Sequence, residues 1–454
     1  MSIPTYQAHA GTTPFPTHEA HLASAYGPGA DFQTACLHAA LPSGDGNPLV
    51  TPLVQSTTFC RDGVGSTATH QYSRCSNPTV AALEQALGAL EQAHPATCFA
   101  TGLAAETALF FALLTGGDHV VCGRSVYGGT TRILQQLFPG LGITTTFVDA
   151  TDTRAVLDAI RPNTKLVFLE SPANPTLELT DIRTIAAAAH EAGALVAVDN
   201  TFLTPVLQQP LELGADISVC STTKFIEGHS AALGGALVTR DAALAERFVF
   251  IRKCTGAIQS PLGAWLTLQG LKTLPVRLQR QSSTAQKLAV WLQAQPQVAE
   301  VHYPGLESFA QRELAQTQHL SIDGTKLHGA VVTIELAGGP QRGLEAAKAL
   351  LGGLKLCRFV EHVGSVETLV THPATMTHAD VPAEQRRAAG VLDGLLRISV
   401  GLEGAAALIH DWSTGLAAIE NAEQPEIGGT GESHAAVRTN GVLPAETKGA
   451  ACHA

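Results

Sequence analysis

Residues 194–200 read Ala194-Leu195-Val196-Ala197-Val198-Asp199-Asn200, and residues 217–224 read Ile217-Ser218-Val219-Cys220-Ser221-Thr222-Thr223-Lys224. Each is an apolar, largely β-branched run that closes on polar residues. A buried parallel strand reads this way when its C-terminal end opens into a site. Ligands of open α/β sheets bind outside the carboxyl ends of the strands. Two neighbouring strand ends therefore deliver an acid, Asp199, and an amine, Lys224. Such a pair suits pyridoxal phosphate (PLP): the lysine carries the cofactor as a Schiff base, and the acid pairs with the protonated pyridine nitrogen. Taken alone, the pair also fits a surface lysine or a P-loop-like one.

Outward from these runs the pattern is strand, helix, strand, helix between about 66 and 275. Apolar stretches such as His119-Val120-Val121-Cys122, Thr146-Phe147-Val148 and Lys165-Leu166-Val167-Phe168-Leu169 alternate with Ala-rich segments at helical spacing, including 181–190. That alternation predicts a mainly parallel sheet covered on both faces. After about 276 comes a helical pattern through Trp291 and Leu292. Strand-like runs follow at 330–335 and 395–400, which predicts a smaller α+β domain to about 420. Residues 1–65 read as a mobile extension followed, from about 31, by an irregular arm. Residues 421–454, rich in Gly, Glu, Thr and Ala, read as a disordered tail.

The 454 residues, 45% of them hydrophobic, suffice for a large core. A formal charge of −11 argues against nucleic acid or an anionic membrane as partner. No apolar run reaches the roughly 18 residues of a spanning helix. The N-terminus lacks the basic and apolar regions of a secretory signal. Nine cysteines without a paired framework or metal-ligand spacing suggest reduced thiols and a cytoplasmic location. Cys60, Cys98, Cys122 and Cys220 read as core fillers. His372 and His378, on either side of Pro373 in a loop, read as structural, so no metal is expected.

Four further blocks carry chemistry. Gln71-Tyr72-Ser73-Arg74-Cys75-Ser76-Asn77-Pro78-Thr79 puts a phenol and a guanidinium just before a helix. Ala100-Thr101-Gly102-Leu103-Ala104-Ala105 is a small-residue turn where backbone N–H groups can meet a phosphate. Ser125-Val126-Tyr127-Gly128-Gly129-Thr130-Thr131-Arg132 adds an aromatic followed by glycines, and Glu170-Ser171-Pro172-Ala173-Asn174-Pro175-Thr176 closes another strand. In this order, from about Pro52 to about Leu416, they resemble the Cys/Met-metabolism family of PLP enzymes, of fold type I. The family includes cystathionine γ-synthases and γ-lyases, methionine γ-lyases and O-acylhomoserine sulfhydrylases.

The resemblance implies a seven-stranded, mainly parallel large domain and a smaller C-terminal domain. It also implies a homotetramer, a dimer of dimers with shared sites, acting on small amino acids. Lys224 is then the Schiff-base lysine and proton shuttle, Asp199 the ring-nitrogen partner and Tyr127 the stacking aromatic. Gly102, Leu103, Ser221 and Thr223 would hold the phosphate, joined by Tyr72 and Arg74 from the adjacent subunit. Arg397 would bind the substrate α-carboxylate, with Asn174 helping to orient it.

For the reaction, Gly129 stands where methionine γ-lyases carry a cysteine. Arg132 matches an arginine that faces a distal carboxylate, and Glu361 a glutamate near a distal amino group. His362 departs from the Ser or Asn usual there; it could tune pH dependence near neutrality or be a bystander whose ring points away. The expected reaction is γ-replacement on an O-acylhomoserine with cysteine, as in cystathionine γ-synthase. The alternatives are α,γ-elimination, O-acylhomoserine sulfhydrylation and, remotely, a catalytically idle PLP-binding protein.

Overall fold

The structure is a computed structural model that describes residues 31–423 apart from 43, 380 and 382. The expected N-terminal extension to about residue 30 and the tail beyond 423 lie outside the described residues.

Seven strands form the large sheet: β1 (Thr97–Phe99), β2 (His119–Gly123), β3 (Thr144–Val148), β4 (Thr164–Glu170), β5 (Leu195–Asp199), β6 (Ile217–Cys220) and β7 (Gly235–Thr239). Their spatial order is β1-β7-β6-β5-β4-β2-β3. The pairs from β6 to β3 are parallel, and β7 is antiparallel to both its neighbours. The period-2 alternation sends Leu166, Phe168 and Ala197 to one face, where they pack with helices Gly102–Leu113 and Ala242–Thr255. Val167, Leu169, Val196 and Val198 point to the other face, against helix Ile182–Glu191. Burial on both faces is why these strands read as continuous apolar runs rather than alternating ones.

The second sheet has five strands in the spatial order Arg358–Phe359, Leu369–Thr371, Leu395–Ser399, Val331–Leu336 and Val298–His302. Helices Leu274–Gln293, Gly339–Gly353 and Ala405–Glu423 enclose a core with it around Trp412, Leu288 and Leu292. Register places Arg397 between Thr371 and Thr333, in the middle strand of this sheet.

Three expectations shift. The boundary at 275/276 falls in the first turn of helix Leu274–Gln293, so one continuous helix carries the chain between the two sheets. The stretch read as irregular from 31 contains helix Phe32–His38, capped by Asp31, whose side chain accepts from Thr34 N. Cys98, Cys122 and Cys220 are buried, but Cys60 is exposed, because it lies on an arm whose strand-type pairing is a single bridge between Thr58 and Tyr72.

Candidate active site

Sheet register assembles the site. Glu170 lies opposite Asp199 across β4 and β5, and Asp199 lies opposite Val219 across β5 and β6. Two carboxyls and the Ser221–Lys224 turn thus stand side by side at the C-terminal edge of the sheet. They line a cavity of about 350 Å³ with Gly102, Tyr127, Asn174, Glu361, His362 and Arg397.

One end of the cavity is acidic. Asp199 accepts from Thr201 N at 2.8 Å. Glu170 clamps two loops, accepting from Tyr127 N at 2.7 Å and Asn174 N at 3.0 Å. Glu106, one turn into helix Gly102–Leu113, accepts from the Thr130 hydroxyl. All three are buried. Burial raises the Asp199 carboxyl above its ordinary range, with the Thr201 hydrogen bonds pulling the other way. Burial and then the Asp199 charge raise Glu106 and Glu170. Acids crowded out of water are stabilised by a nearby cation, and Asp199 would pair with a protonated pyridine nitrogen if the cofactor were bound.

Opposite them is the lysine. Gly364 (φ +86°) lies so close to the chain that a Cβ there would come within 2.5 Å of Phe225 N. This approach lays the 360–365 loop onto Lys224, and His362 Nδ1 sits 3.2 Å from Lys224 Nζ. Burial, followed by the Arg397 charge, lowers the Lys224 amine to about 8, against a raising contribution from Glu361. Burial, Lys224 and Arg397 push the His362 imidazole down to about 4. The ring therefore faces the lysine, contrary to the bystander alternative, and it does not titrate near neutrality.

The phosphate cradle forms where the helix from Gly102 meets the turn after β6. A Cβ at Gly102 would lie 2.8 Å from the Ser221 Cβ, so only glycine permits this approach. The Ser221 hydroxyl stands beside the helix N-terminus, where backbone donors and the helix dipole favour an anion. Thr223 lines the cavity and also ties its own turn. Its hydroxyl donates to Gly234 O at 3.0 Å and accepts from Gly234 N at 2.9 Å, fixing the turn that carries Lys224. Tyr72 and Arg74 do not line the cavity of their own chain. The Arg74 guanidinium lies 5.5 Å from the Tyr72 ring centroid and donates to Lys253 O at 3.0 Å.

Arg397 is 3% exposed and tied to three segments. It donates to Asn174 Oδ1 at 2.8 Å, His362 O at 2.9 Å and the Thr371 hydroxyl at 3.0 Å. Its buried Nε has no partner among the described residues. A fixed, planar guanidinium with a donor left over is chemically suited to a carboxylate.

Arg132 and Glu361 line two adjoining cavities that share Asn174 and Thr377. Glu361 lines the main cavity, whereas Arg132 lines a neighbouring one of about 470 Å³ with Arg124 and His378. The loop bearing Tyr127 and Gly128 lies between them; the phenol, raised chiefly by burial, feels Glu361 and Arg132 in opposite senses. A further cavity of about 710 Å³ shares Lys224, Glu361 and His362 with the first but not Arg397 or Asn174. His372 is tied to Thr375 and to Asp393 O, and no metal-binding group occurs among the described residues. No helix among them is long and apolar enough to cross a membrane.

Sequence reasoning missed Glu106, Glu170, Thr201 and Thr371. Glu170 had a signal, an acid closing a buried strand as Asp199 does. Glu106 had one too, a lone acid in the apolar helix Gly102–Leu113, which is costly unless paired or neutral.

The acid pair with an unmet need for a cation, the lysine amine and the cradle at Gly102 and Ser221 fit a phosphorylated pyridine aldehyde. Comparisons with known proteins agree. Residues 33–417 match the family described as Cys/Met metabolism PLP-dependent enzyme. The chain is 40% identical over 380 residues to cystathionine gamma-lyase of Bacillus subtilis, covering 84% of this chain and 97% of that one. It is 41% identical over 380 residues to cystathionine gamma-synthase of Mycobacterium bovis, covering 83% and 95%. The crystal structure of cystathionine gamma synthase from Xanthomonas oryzae in complex with aminoacrylate and cysteine superposes with a TM-score of 0.82. It shares 39% identity and covers 86% of this chain and 99% of that one. The chain therefore belongs to the Cys/Met metabolism family of PLP-dependent enzymes of sulfur amino-acid metabolism.

Proposed function

We propose that this enzyme catalyses γ-replacement, joining an O-acylhomoserine to cysteine to give cystathionine. The observation that carries this reading is the pair of adjoining cavities on either side of Lys224, Glu361 and His362. One holds Arg397 and Asn174, suited to the α-carboxylate of the first amino acid. The other gives a second amino acid access to the same lysine, with the Glu361 carboxylate placed for its ammonium group. PLP, when bound, supplies the electron sink that makes protons at Cα and Cβ removable. The protein's part is to hold the carboxylate on Arg397, to keep Asp199 at the ring nitrogen and to move protons on Lys224 Nζ. An amine lowered to about 8 is neutral often enough near neutral pH to act as a base.

α,γ-Elimination is the second reading, favoured by a similarity to the B. subtilis lyase equal to that with the synthases. Purified enzyme given O-succinylhomoserine and cysteine, and separately cystathionine alone, decides between them. Cystathionine accumulating in the first assay supports replacement, and oxo-acid release in the second without accumulation in the first overturns it. Tyr72 and Arg74 are assigned to the site of an adjacent subunit in a tetramer that is a dimer of dimers, since neither lines the cavity of its own chain. Mixing Arg74→Ala with Lys224→Ala subunits is expected to restore activity, because one site per hybrid dimer is intact. Full activity of a monomer would contradict the shared site.

A further inference from the structure

Behind the cavity, three amide side chains close a chain of hydrogen bonds. Gln208 Nε2 donates to Ser171 O at 2.7 Å and to Asn200 Oδ1 at 3.0 Å, and Asn200 Nδ2 donates to Gln208 O at 2.7 Å. Gln318 Nε2 donates to Gln208 Oε1 at 3.0 Å and to the Ser171 hydroxyl at 3.3 Å. Its Oε1 accepts from Ile182 N at 3.3 Å. Every side-chain amide atom of the three is paired, and Ser171, Asn200, Gln208 and Gln318 are all buried. A buried polar network that is fully satisfied holds its members in one arrangement.

Two of its members stand one residue beyond the acids of the strand ends: Ser171 follows Glu170, and Asn200 follows Asp199. Gln208 therefore ties the chain leaving β4 to the chain leaving β5. Ser171 also opens the loop that carries Asn174. The far end of that loop is held nearby, since Thr180 N donates to the Ser171 hydroxyl at 3.1 Å and Leu179 N to Gln311 Oε1 at 2.7 Å. Between these fixed ends, Asn174 Oδ1 accepts from Arg397 at 2.8 Å. Neither Gln208 nor Gln318 lines the cavity.

We propose that Gln208 is a positioning residue for the amino-acid carboxylate: by holding Ser171 it sets where Asn174 meets Arg397, and so where the guanidinium points. This rests on the assignment of Arg397 and Asn174 to that carboxylate. The other partners of Arg397, the His362 carbonyl and the Thr371 hydroxyl, belong to the second sheet and the loop before it. Asn174 is its tie to the large sheet, and a slack 171–180 loop would leave the guanidinium held from one side only.

Glycine, which has an α-amine and an α-carboxylate but no γ-substituent, tests this without turnover. Its uptake by the holoenzyme is titrated through the visible absorbance of the bound cofactor at pH 7, beside methylamine, which lacks the carboxylate. Gln208→Met keeps the bulk and removes the donor. It is expected to weaken apparent glycine affinity about tenfold, the scale of one hydrogen bond. Methylamine should change by no more than about twofold, the ordinary scatter of independent sites. In an Asn174→Ala background the same substitution should alter glycine affinity by no more than about twofold, because a residue that acts through another is not additive with it. The resting visible band of each variant shows that it folds and holds cofactor. Where Gln208→Met lacks that band, Gln318→Met takes its place, and it should weaken glycine about threefold with Asn174 present and not without it. Wild-type glycine affinity in these variants, equal losses for glycine and methylamine, or an undiminished loss without Asn174 overturns the proposal. Wild-type glycine affinity in Arg397→Ala would instead overturn the carboxylate assignment, and the proposal with it.

Discussion

The wall of the cavity made by β4, β5 and β6 presents its groups from adjacent strand ends, whereas the wall made by residues 358–371 and 395–399 presents them from a loop and a mid-strand position. On the first wall, sheet register alone sets Glu170, Asp199 and the lysine turn in line, and each acid is tied to nearby backbone. On the second, Arg397 reaches back 223 residues to Asn174, and His362 reaches 138 residues to Lys224. The first wall is a cofactor platform fixed by one sheet. The second exists only once both sheets have formed and docked, and it carries the residues assigned above to substrate.

If that division holds, damage to the first wall should abolish chemistry for every substrate, and damage to the second should discriminate. The largest effect is expected for Lys224→Ala. Losing both the covalent anchor and the base should cost at least about a thousandfold in kcat, together with the lysine-dependent visible band. Arg397→Ala should follow, lowering kcat/KM about a hundredfold and leaving Asn174, Thr371 and the His362 carbonyl without their donor. Arg397→Lys should rescue little, because an ammonium cannot reproduce three fixed directions.

Glu361→Ala should lower kcat/KM with cysteine or cystathionine by roughly tenfold to a hundredfold while sparing elimination from smaller substrates such as O-acetylhomoserine. Arg132→Ala, in a separate cavity, should hurt O-succinylhomoserine more than O-acetylhomoserine. Equal losses for long and short substrates would show that neither residue selects.

The smallest effect concerns Glu106. Its folded-state pKa is raised, so the folded protein binds the proton more tightly than the unfolded chain does. That contribution to stability is full at low pH and is lost as pH rises above the ordinary carboxyl range. Urea unfolding of cofactor-free protein should therefore show stability falling with pH, by at most about 1.4 kcal/mol per pH unit for this one group. Glu106→Gln, which carries no charge, should flatten that slope.

The first wall was legible in the sequence because strand ends obey a local rule. An apolar run that stops at Asp199, and another that leads to Lys224, can be read without knowing what lies across from them. Glu170 obeyed the same rule, in a block read as closing a strand, but was given no role of its own. The second wall was legible only through resemblance, and only in part. Arg397 announced itself as a charge inside an apolar strand, but its partners lie in three distant segments. Whether Arg132 and Glu361 face one cavity depends on how the Tyr127 loop runs between them, which no local pattern encodes. The bond of the Thr223 hydroxyl to a backbone turn eleven residues away at Gly234 is likewise not written in any local pattern. A mainly parallel sheet followed the alternating pattern closely, while the expected boundary near 275 falls within a helix rather than a linker.

The unpartnered Nε of Arg397 has a consequence for selectivity. A buried donor without an acceptor penalises the empty site, by about 1–3 kcal/mol for such a group. On the proposed assignment of Arg397, an amino acid's carboxylate would remove that penalty on arrival, and an amine of the same shape lacking the carboxylate would leave it in place. Decarboxylated analogues would then be rejected without any steric barrier, through an unmet donor that only an anion at that position can satisfy.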